Sequence, residues 1–414
     1  MSLYKHQLDI IQDDKKKVGL FLGTGSGKTL TALLLARGRT LVICPKTQHE
    51  DRNWHRECQK NNLKINLTTI SKETFRRDYD SLPRFDTIIC DEAHTMLGVT
   101  PTIQYIKKQP RPRASQLYYC LKKFIDKTGP DRLYLVTATI IKNPMTVWGA
   151  SQLLGYNFDF YKWREYFYTK IPIPNREIWI QKNNDTVKAK LAEVVKKLGY
   201  VGRLEDYFDV PNQTHRIIYT ELTTEQKNRI KEIPMEYPDK IVQVGKKHQI
   251  ENGSLAGNEY EEAQHFKDNK LNIISDLAVE FPQMIVFAKY KIQIQQIANR
   301  LRKDGKKVLI LDGDTKDRGS VLHEAKNSKE CVFIAQASIS SGWELPTYPT
   351  MVFASRTYSF VDADQSLGRI QRSDNIKKNL YIYLIVKGGV DEAVHKCLEI
   401  KKDFSEKLYA ESRI

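Results

Sequence analysis

Short runs of consecutive apolar residues recur along the chain, with apolar positions at helical spacing between them. In the first half the runs are Val18–Leu22, Thr40–Cys44, Thr87–Cys90 and Leu133–Val136. A run without polar alternation reads as a strand buried on both faces, as in a parallel sheet covered by helices. The alternation resumes with Met284–Ala288, Val308–Leu311, Cys331–Ala335, Met351–Ala354 and Leu380–Val386. The pattern predicts an α/β protein with two successive lobes, each built on a parallel sheet.

Between the two series, Leu191–Leu198 reads as helix, Asp209-Val210-Pro211-Asn212 interrupts the pattern, and Arg216–Leu222 reads as extended. The lobe boundary is placed there, giving lobes at 1–212 and 213–414. A chain of 414 residues has room for two or three domains of about 150 residues each. The segment 224–269 is polar and charged, and is expected to be a helical insertion with a loose loop at Glu251–Asn258.

Charge adds a partner. Lys and Arg number 66 against 50 Asp and Glu, a net charge of +16, which favours a polyanion through counterion release. The cysteines at 44, 58, 90, 120, 331 and 397 have no finger-like spacing and are expected to be buried, reduced thiols. No apolar run approaches the roughly twenty residues of a membrane span, and no signal-peptide pattern opens the chain. The expectation is a soluble protein of the cytoplasm with no membrane partner.

The candidate chemistry lies at two of the predicted strand ends. After Val18–Leu22 comes Gly23-Thr24-Gly25-Ser26-Gly27-Lys28-Thr29, which opens an amphipathic segment, Leu30–Ala36, with Gly38 as the expected C-cap. Glycines let successive N–H groups face one anion, and the helix N-terminus adds its positive end. Lys28 then reaches the β- and γ-phosphates and Thr29 holds magnesium. Leu22 stands where the strict pattern has its first glycine. After Thr87–Cys90 comes Asp91-Glu92-Ala93-His94, whose carboxylates emerge at the C-terminal edge of the sheet, where ligands of open α/β sheets bind. Asp91 would bind magnesium through water and Glu92 would orient and deprotonate an attacking water. The alternative for this motif alone is an ordinary acidic helix start after a strand. The ordered pair implies binding and hydrolysis of a nucleoside triphosphate.

Taken with further segments, these motifs resemble superfamily 2 helicases and nucleic-acid translocases, particularly the SWI/SNF-like branch. Leu3-Tyr4-Lys5-His6-Gln7 is similar to the N-terminal adenine-reading motif, Cys44-Pro45-Lys46 with Asn53-Trp54 and Glu57 to the segment after the second strand, and Thr137-Ala138-Thr139 to motif III. Asn143-Pro144, Trp148 and Leu153-Leu154 extend the match, and Arg203-Leu204, Val210-Pro211 and Glu221-Leu222-Thr223 with Gln226 parallel a brace between lobes. Val286–Tyr290 resembles motif IV, Gln336–Leu345 motif V, and Gln365-Ser366-Leu367-Gly368-Arg369-Ile370-Gln371-Arg372 motif VI. Gly342-Trp343-Glu344-Leu345 carries Glu where motif V usually has Asp or Asn.

The resemblance implies two RecA-like lobes with an ATP site in the cleft between them, ATP and Mg2+ as cofactors, and a DNA-dependent ATPase. It implies that Gln7 bonds the adenine edge and His6 packs beside the base, and that Gly342, Glu344 and Gln365 join the nucleotide site. Arg369 and Arg372 would act at the γ-phosphate, and one helical turn between them would put both on one face. It implies nucleic-acid contacts from Pro45, Lys46, Thr69 to Ser71, Lys289, Gln336 and Ser338. The stretch Tyr105–Arg113 is this chain's own: Lys107, Lys108, Arg111 and Arg113 among prolines make it either a DNA contact or a solvated loop.

The favoured function is an ATP-dependent DNA helicase or translocase acting on forked, branched or duplex DNA in replication, recombination or repair, with proteins of those processes as partners. It is of the minimal kind carried by bacteriophages and bacteria, and would work in the host cytoplasm if phage-encoded. The alternatives are a duplex translocase without strand separation in a larger complex, a nucleotide-gated nucleic-acid-binding protein, and an RNA helicase.

Overall fold

The computed structural model describes residues 3–106, 109–138, 143–173, 176–203, 206–208, 213–257, 262–339, 343–370, 378–400 and 404–405. The chain divides into two compact units, Met1–Asp209 and Val210–Ile414.

In the first unit the strands are β1 (Lys17–Leu22), β2 (Arg39–Cys44), β3 (Asn66–Ser71), β4 (Thr87–Asp91), β5 (Val99–Ile106), β6 (Gln109–Ala114), β7 (Arg132–Val136), β8 (Tyr168–Ile173), β9 (Arg176–Gln181) and β10 (Gly199–Gly202). Six of them form a sheet in the order β10-β1-β7-β4-β2-β3, every pair parallel. Successive side chains alternate between two buried layers. Phe21, Leu41, Ile43, Ile88, Cys90, Leu133 and Leu135 pack under the helices Gln116–Thr128, Pro144–Leu153 and Asp185–Leu198. Leu20, Leu22, Val42, Ile89, Tyr134 and Val136 pack under Lys28–Leu35 and Asn53–Lys60. Burial on both faces explains the unbroken apolar runs. The pairs β5-β6 and β8-β9 are antiparallel hairpins outside the sheet.

The second unit repeats the plan with β11 (Thr214–Thr220), β12 (Ser254–Leu255), β13 (Gln264–His265), β14 (Gln283–Ala288), β15 (Val308–Leu311), β16 (Cys331–Gln336), β17 (Thr350–Phe353) and β18 (Leu380–Val386). Its six-stranded parallel sheet runs β11-β18-β17-β14-β16-β15. Met284, Val286, Val332, Ile334 and Ile382 face the helices Asn269–Glu280 and Lys291–Lys303, and Ile285, Phe287, Phe333, Met351 and Tyr381 form the opposite layer. No helix among the described residues is long and apolar enough to cross a membrane.

Three local expectations change. The helix after the glycine-rich loop ends at Leu35, with extended Ala36 as its C-cap. Gly38 instead makes a positive-φ turn into β2, at +61°, close against Asp86. The insertion is helical, Thr224–Glu236 and Lys240–Glu251, but the expected loose loop begins as a buried turn. Glu251, Asn252, Ser254 and Leu255 are all buried, and β12 pairs with β13. The described part of the basic stretch is strand: Tyr105 and Ile106 end β5, and Gln109–Arg113 make up most of β6.

Candidate functional site

Because β1, β7 and β4 are adjacent and parallel, their C-terminal ends share one edge, with the ends of β1 and β4 on either side of β7. Leu22 at the end of β1 pairs with Gly202, and the Gly23 N–H donates to the Gly202 carbonyl at 2.8 Å, fixing where the glycine-rich loop starts. Gly25 and Gly27 have φ of +80° and +77°, a region L side chains avoid, so the loop curls back on itself. Ser26 is buried and its hydroxyl donates to the Gly23 carbonyl at 2.7 Å. Gly27 is the N-cap of the helix that begins with Lys28 and Thr29. Backbone N–H groups and a helix start thus meet at one sheet edge, which suits a phosphate.

Asp91 is the last residue of β4, paired with Val136 of β7, and Glu92 follows with a φ of +44°. Asp91 is buried; its carboxylate accepts the Trp54 indole N–H at 3.2 Å and the Glu92 backbone N–H at 2.9 Å. Burial, then the charge of Glu92, push Asp91 up to about 6, with Lys72 and Lys28 opposing. Burial also works to raise Glu92, but the hydrogen bond from His94 and the Lys28 charge hold it down at about 2. Lys28 acts on both carboxylates, so the two sequence motifs form one electrostatic site.

His94 Nδ1 lies 2.8 Å from Thr137 Oγ1 and 3.4 Å from Glu92 Oε2. The Thr137 N–H donates to the Leu20 carbonyl at 3.1 Å, so the segment after β7 is tied to both β1 and Glu92. Thr139 lies outside the described residues. Lys72 carries no sequence signal, yet it is buried beside the site. Its ammonium donates to the Glu92 carbonyl at 3.1 Å and to Thr95 Oγ1 at 2.6 Å. It follows a helix N-cap serine in sequence, where a lysine looks like ordinary surface.

Gln7 and His6 brace the loop. The Gln7 amide donates to the Gly27 carbonyl at 3.2 Å and the Thr31 hydroxyl at 3.3 Å, while its oxygen accepts the Tyr4 N–H at 3.0 Å. His6 Nε2 is 2.9 Å from the Ser26 carbonyl, and its ring stacks on Tyr207 with centroids 4.0 Å apart.

The expected nucleic-acid residues fare unevenly. Lys46 is exposed and Pro45, half-buried, is the N-cap of the short helix Lys46–Glu50. Thr69 pairs its hydroxyl with His49 Nδ1 at 3.0 Å. Ser71 is buried and its hydroxyl caps the helix Lys72–Asp78. Arg111 and Arg113 are exposed on β6, and Lys107 and Lys108 lie outside the described residues. The hairpin is tied along its length. Gln104 Nε2 donates to Tyr119 Oη at 2.7 Å, and Tyr119 Oη donates to the Pro112 carbonyl. The Thr100 hydroxyl donates to the Arg113 carbonyl at 3.1 Å.

In the second unit Lys289 follows β14 and Gln336 ends β16, adjacent parallel strands, so both stand at the C-terminal edge. Gln336 Oε1 accepts the Gly313 N–H at 3.0 Å, and Ser338 is exposed. The helix carrying Gln365 ends at Leu367, so the expectation that Arg369 lies in a helical segment is corrected. Its guanidinium donates to the Trp343 carbonyl at 2.6 Å and the Gln365 carbonyl at 2.9 Å, joining motif V to motif VI. Glu344 is half-buried; Gly342 and Arg372 lie outside the described residues.

The Thr29 hydroxyl and the Asp91 carboxylate are hard oxygen donors of the kind magnesium takes alongside phosphate oxygens and water, so the donor set fits the ion. A comparison with curated proteins finds no match. Among solved structures, a Sulfolobus solfataricus SWI2/SNF2 ATPase core in complex with double-stranded DNA is similar over 99% of this chain and 92% of its own, at 16% identity and a TM-score of 0.41. Residues 269–374 match the helicase conserved C-terminal domain. The matched span holds the second-unit candidate residues Lys289, Gln336, Ser338, Gly342, Glu344, Gln365, Arg369 and Arg372.

Proposed function

We propose that the chain is an ATP-dependent DNA translocase or helicase of the SWI/SNF-like superfamily 2 type. The observation that carries the proposal is the shared edge of β1, β7 and β4. There a positive-φ glycine loop, Lys28 and two carboxylates of opposite protonation tendency lie within one electrostatic site. In this reading the loop N–H groups and Lys28 bind the phosphates, with Gln7 and His6 at the adenine. Glu92, kept ionised by His94 and Lys28, orients and deprotonates the attacking water. Thr29 and Asp91 would hold magnesium, which would supply charge neutralisation for the phosphates. Through His94 and Thr137, the state of Glu92 reaches the segment after β7, giving hydrolysis a mechanical outlet.

Arg369 and Arg372 are the proposed contribution of the second unit to hydrolysis. Lys46, Lys289, Gln336 and Ser338 are proposed phosphate contacts on the track, with Arg111 and Arg113 on the hairpin. The net charge of +16 and the helicase C-terminal match support a nucleic-acid partner. The sequence resemblance favours DNA, forked or branched, as met in replication, recombination and repair.

The test is steady-state ATP hydrolysis with matched single-stranded, duplex and forked DNA and with RNA, using Lys28→Ala as control. Stimulation by forked or duplex DNA, abolished in the variant, is the expected result. Stimulation by RNA alone, or by none of them, overturns the DNA assignment.

A further inference from the structure

Five elements of the second unit meet at a buried polar cluster that no sequence spacing announces. Lys270, on the helix Asn269–Glu280, is fully buried; its ammonium donates to Asp391, to Asn252 Oδ1 at 2.7 Å and to the Ala354 carbonyl at 2.8 Å. Three acceptors account for the three N–H bonds of an ammonium. Asp391, on the helix Val390–Glu399, takes that charge on one oxygen and His248 Nε2 on the other at 2.9 Å. Glu251 accepts the Val390 and Asp391 backbone N–H groups, each at 2.9 Å. His248, Glu251 and Asn252 all belong to the insertion or its closing turn.

Two close paths lead from this cluster to Lys289, and a longer one runs through Tyr290, whose ring centroid lies 5.3 Å from the Lys289 ammonium and whose ring a Tyr290→Phe change keeps. Along the main chain, the Lys289 N–H donates to Ser355 Oγ at 2.7 Å. Ser355 donates to Gln293 Oε1 at 2.5 Å, and Gln293 Nε2 donates to Asn252 Oδ1 at 3.3 Å. Along the side chain, the Lys289 ammonium sits 2.8 Å from the centroid of the Tyr358 ring, a cation–π contact. The Tyr358 hydroxyl is 2.9 Å from His248 Nδ1.

The tautomer of His248 follows from its neighbours. Asp391, despite its burial, is held well below the usual carboxylate range by Lys270 and by His248, so it is ionised and only accepts. His248 Nε2 therefore carries the proton, and burial keeps the ring neutral. Nδ1 then has a single lone pair. Two phenols converge on it, Tyr358 at 2.9 Å and Tyr290 at 2.7 Å. One acceptor cannot serve both fully, so the two hydroxyls compete.

We propose that the insertion is the positioning element of Lys289: His248 holds Tyr358 beneath the ammonium, the Asn252 path holds the main chain, and together they set how firmly this lysine grips a nucleic-acid phosphate. The inference rests on Lys289 being a phosphate contact. His248 and Tyr358 are positioning residues, since each acts through Lys289.

The competition for one lone pair separates this role from general support of the core. Tyr358→Phe keeps the ring but loses the tie. Tyr290→Phe frees His248 for Tyr358. The experiment is fluorescence-anisotropy binding of a labelled forked duplex at several salt concentrations, using the whole chain, Tyr358→Phe, Tyr290→Phe, Lys289→Ala and the Lys289→Ala/Tyr358→Phe pair. Tyr358→Phe is expected to weaken binding about fivefold, the scale of one hydrogen bond. Tyr290→Phe is expected to leave binding unchanged or tighten it, and Tyr358→Phe to add nothing once Lys289 is Ala. Lys289→Ala should lower the salt slope by about one. Equal weakening by both Phe variants, or an undiminished Tyr358→Phe effect in the Lys289→Ala background, overturns the inference while leaving the DNA motor standing. An unchanged salt slope in Lys289→Ala removes the lysine as a phosphate contact and the inference with it. A parent chain that binds no DNA defeats the functional reading itself.

Discussion

Each unit buries a lysine near an aspartate, and the two pairs behave in opposite ways. In the first unit the Lys72 ammonium bonds the Glu92 carbonyl and Thr95, not Asp91, and burial lifts Asp91 to about 6. In the second, Lys270 bonds Asp391 directly, His248 takes the other oxygen, and despite burial the carboxylate is driven down. The same two residue types give a carboxylate short of positive charge in one place and a saturated one in the other. What separates them is where the ammonium's hydrogen bonds go. An under-compensated carboxylate at a sheet edge is ready for a divalent cation; a saturated one has no capacity left and serves packing.

The largest effects should fall on the first unit's activity rather than its stability. Glu92→Gln keeps the shape but removes the base, and ATP hydrolysis should fall by about 10² to 10⁴, the usual contribution of general base catalysis. Asp91→Asn should also abolish steady-state hydrolysis, yet its thermal unfolding temperature should hold or rise, because a neutral amide escapes the desolvation that raises the Asp91 pKa. A marked loss of stability in Asp91→Asn would erase the contrast with Asp391.

Asp391→Asn should do the reverse within its own unit. It leaves the Lys270 charge buried without its counter-ion, a change worth about 3 to 5 kcal/mol in denaturant unfolding. Glu251 sharpens this through pH. Burial, then the neighbouring Asp391 charge, raise it from 4.5 to about 7. An acid raised in the folded state binds more protons there than when unfolded. Its contribution is therefore complete below pH 4.5 and lost as pH rises through about 7. The readout is the difference in unfolding free energy between the parent and Glu251→Gln across that window, because buried His395 and His248, whose pKa values are lowered, act on the total with the opposite sign. The parent's advantage should fall as pH rises, and an advantage that grows with pH would reverse the assignment.

The apolar pattern marks the central strands well and the edges poorly, for a physical reason. β1, β4, β7, β14 and β16 are apolar on both faces because helices cover both, and the runs match their positions to within a residue or so. β3 and β10 close the two edges of the first sheet; one alternates with polar residues and the other is a four-residue segment with two glycines. Neither is a run. At an edge of the second sheet, the pattern puts β11 two residues late, at Arg216–Leu222 against Thr214–Thr220. The glycine-rich loop and Asp91-Glu92 are legible because their chemistry demands contiguous residues. Lys72, His248, Lys270 and Asp391 are not, since each reads singly as surface and only the fold brings them together. Ser71 is ambiguous for a related reason: a hydroxyl at a strand end serves a helix cap, as it does here, as readily as a ligand.

The smallest expected effect concerns the hairpin, and it extends the contrast from buried charge to exposed charge. β5 and β6 are held at the base by Ser115 and midway along by Tyr119, while Tyr105, Arg111 and Arg113 are exposed. Pro110 and Pro112 lack N–H groups, so β6 is a poor template for another strand and the hairpin stays available for a different partner. Among the described residues these exposed arginines are weakly engaged, Arg111 reaching Gln109 at 3.4 Å, so replacing them removes little stability. Arg111→Ala with Arg113→Ala should therefore leave the unfolding temperature unchanged, weaken DNA binding, and lower the slope of log affinity against log salt by about two, one for each phosphate no longer neutralised. If the slope is unchanged, the arginines are solvated and the hairpin is not part of the track; if it falls by more than two, the hairpin orders further phosphate-binding groups that the two side chains do not account for.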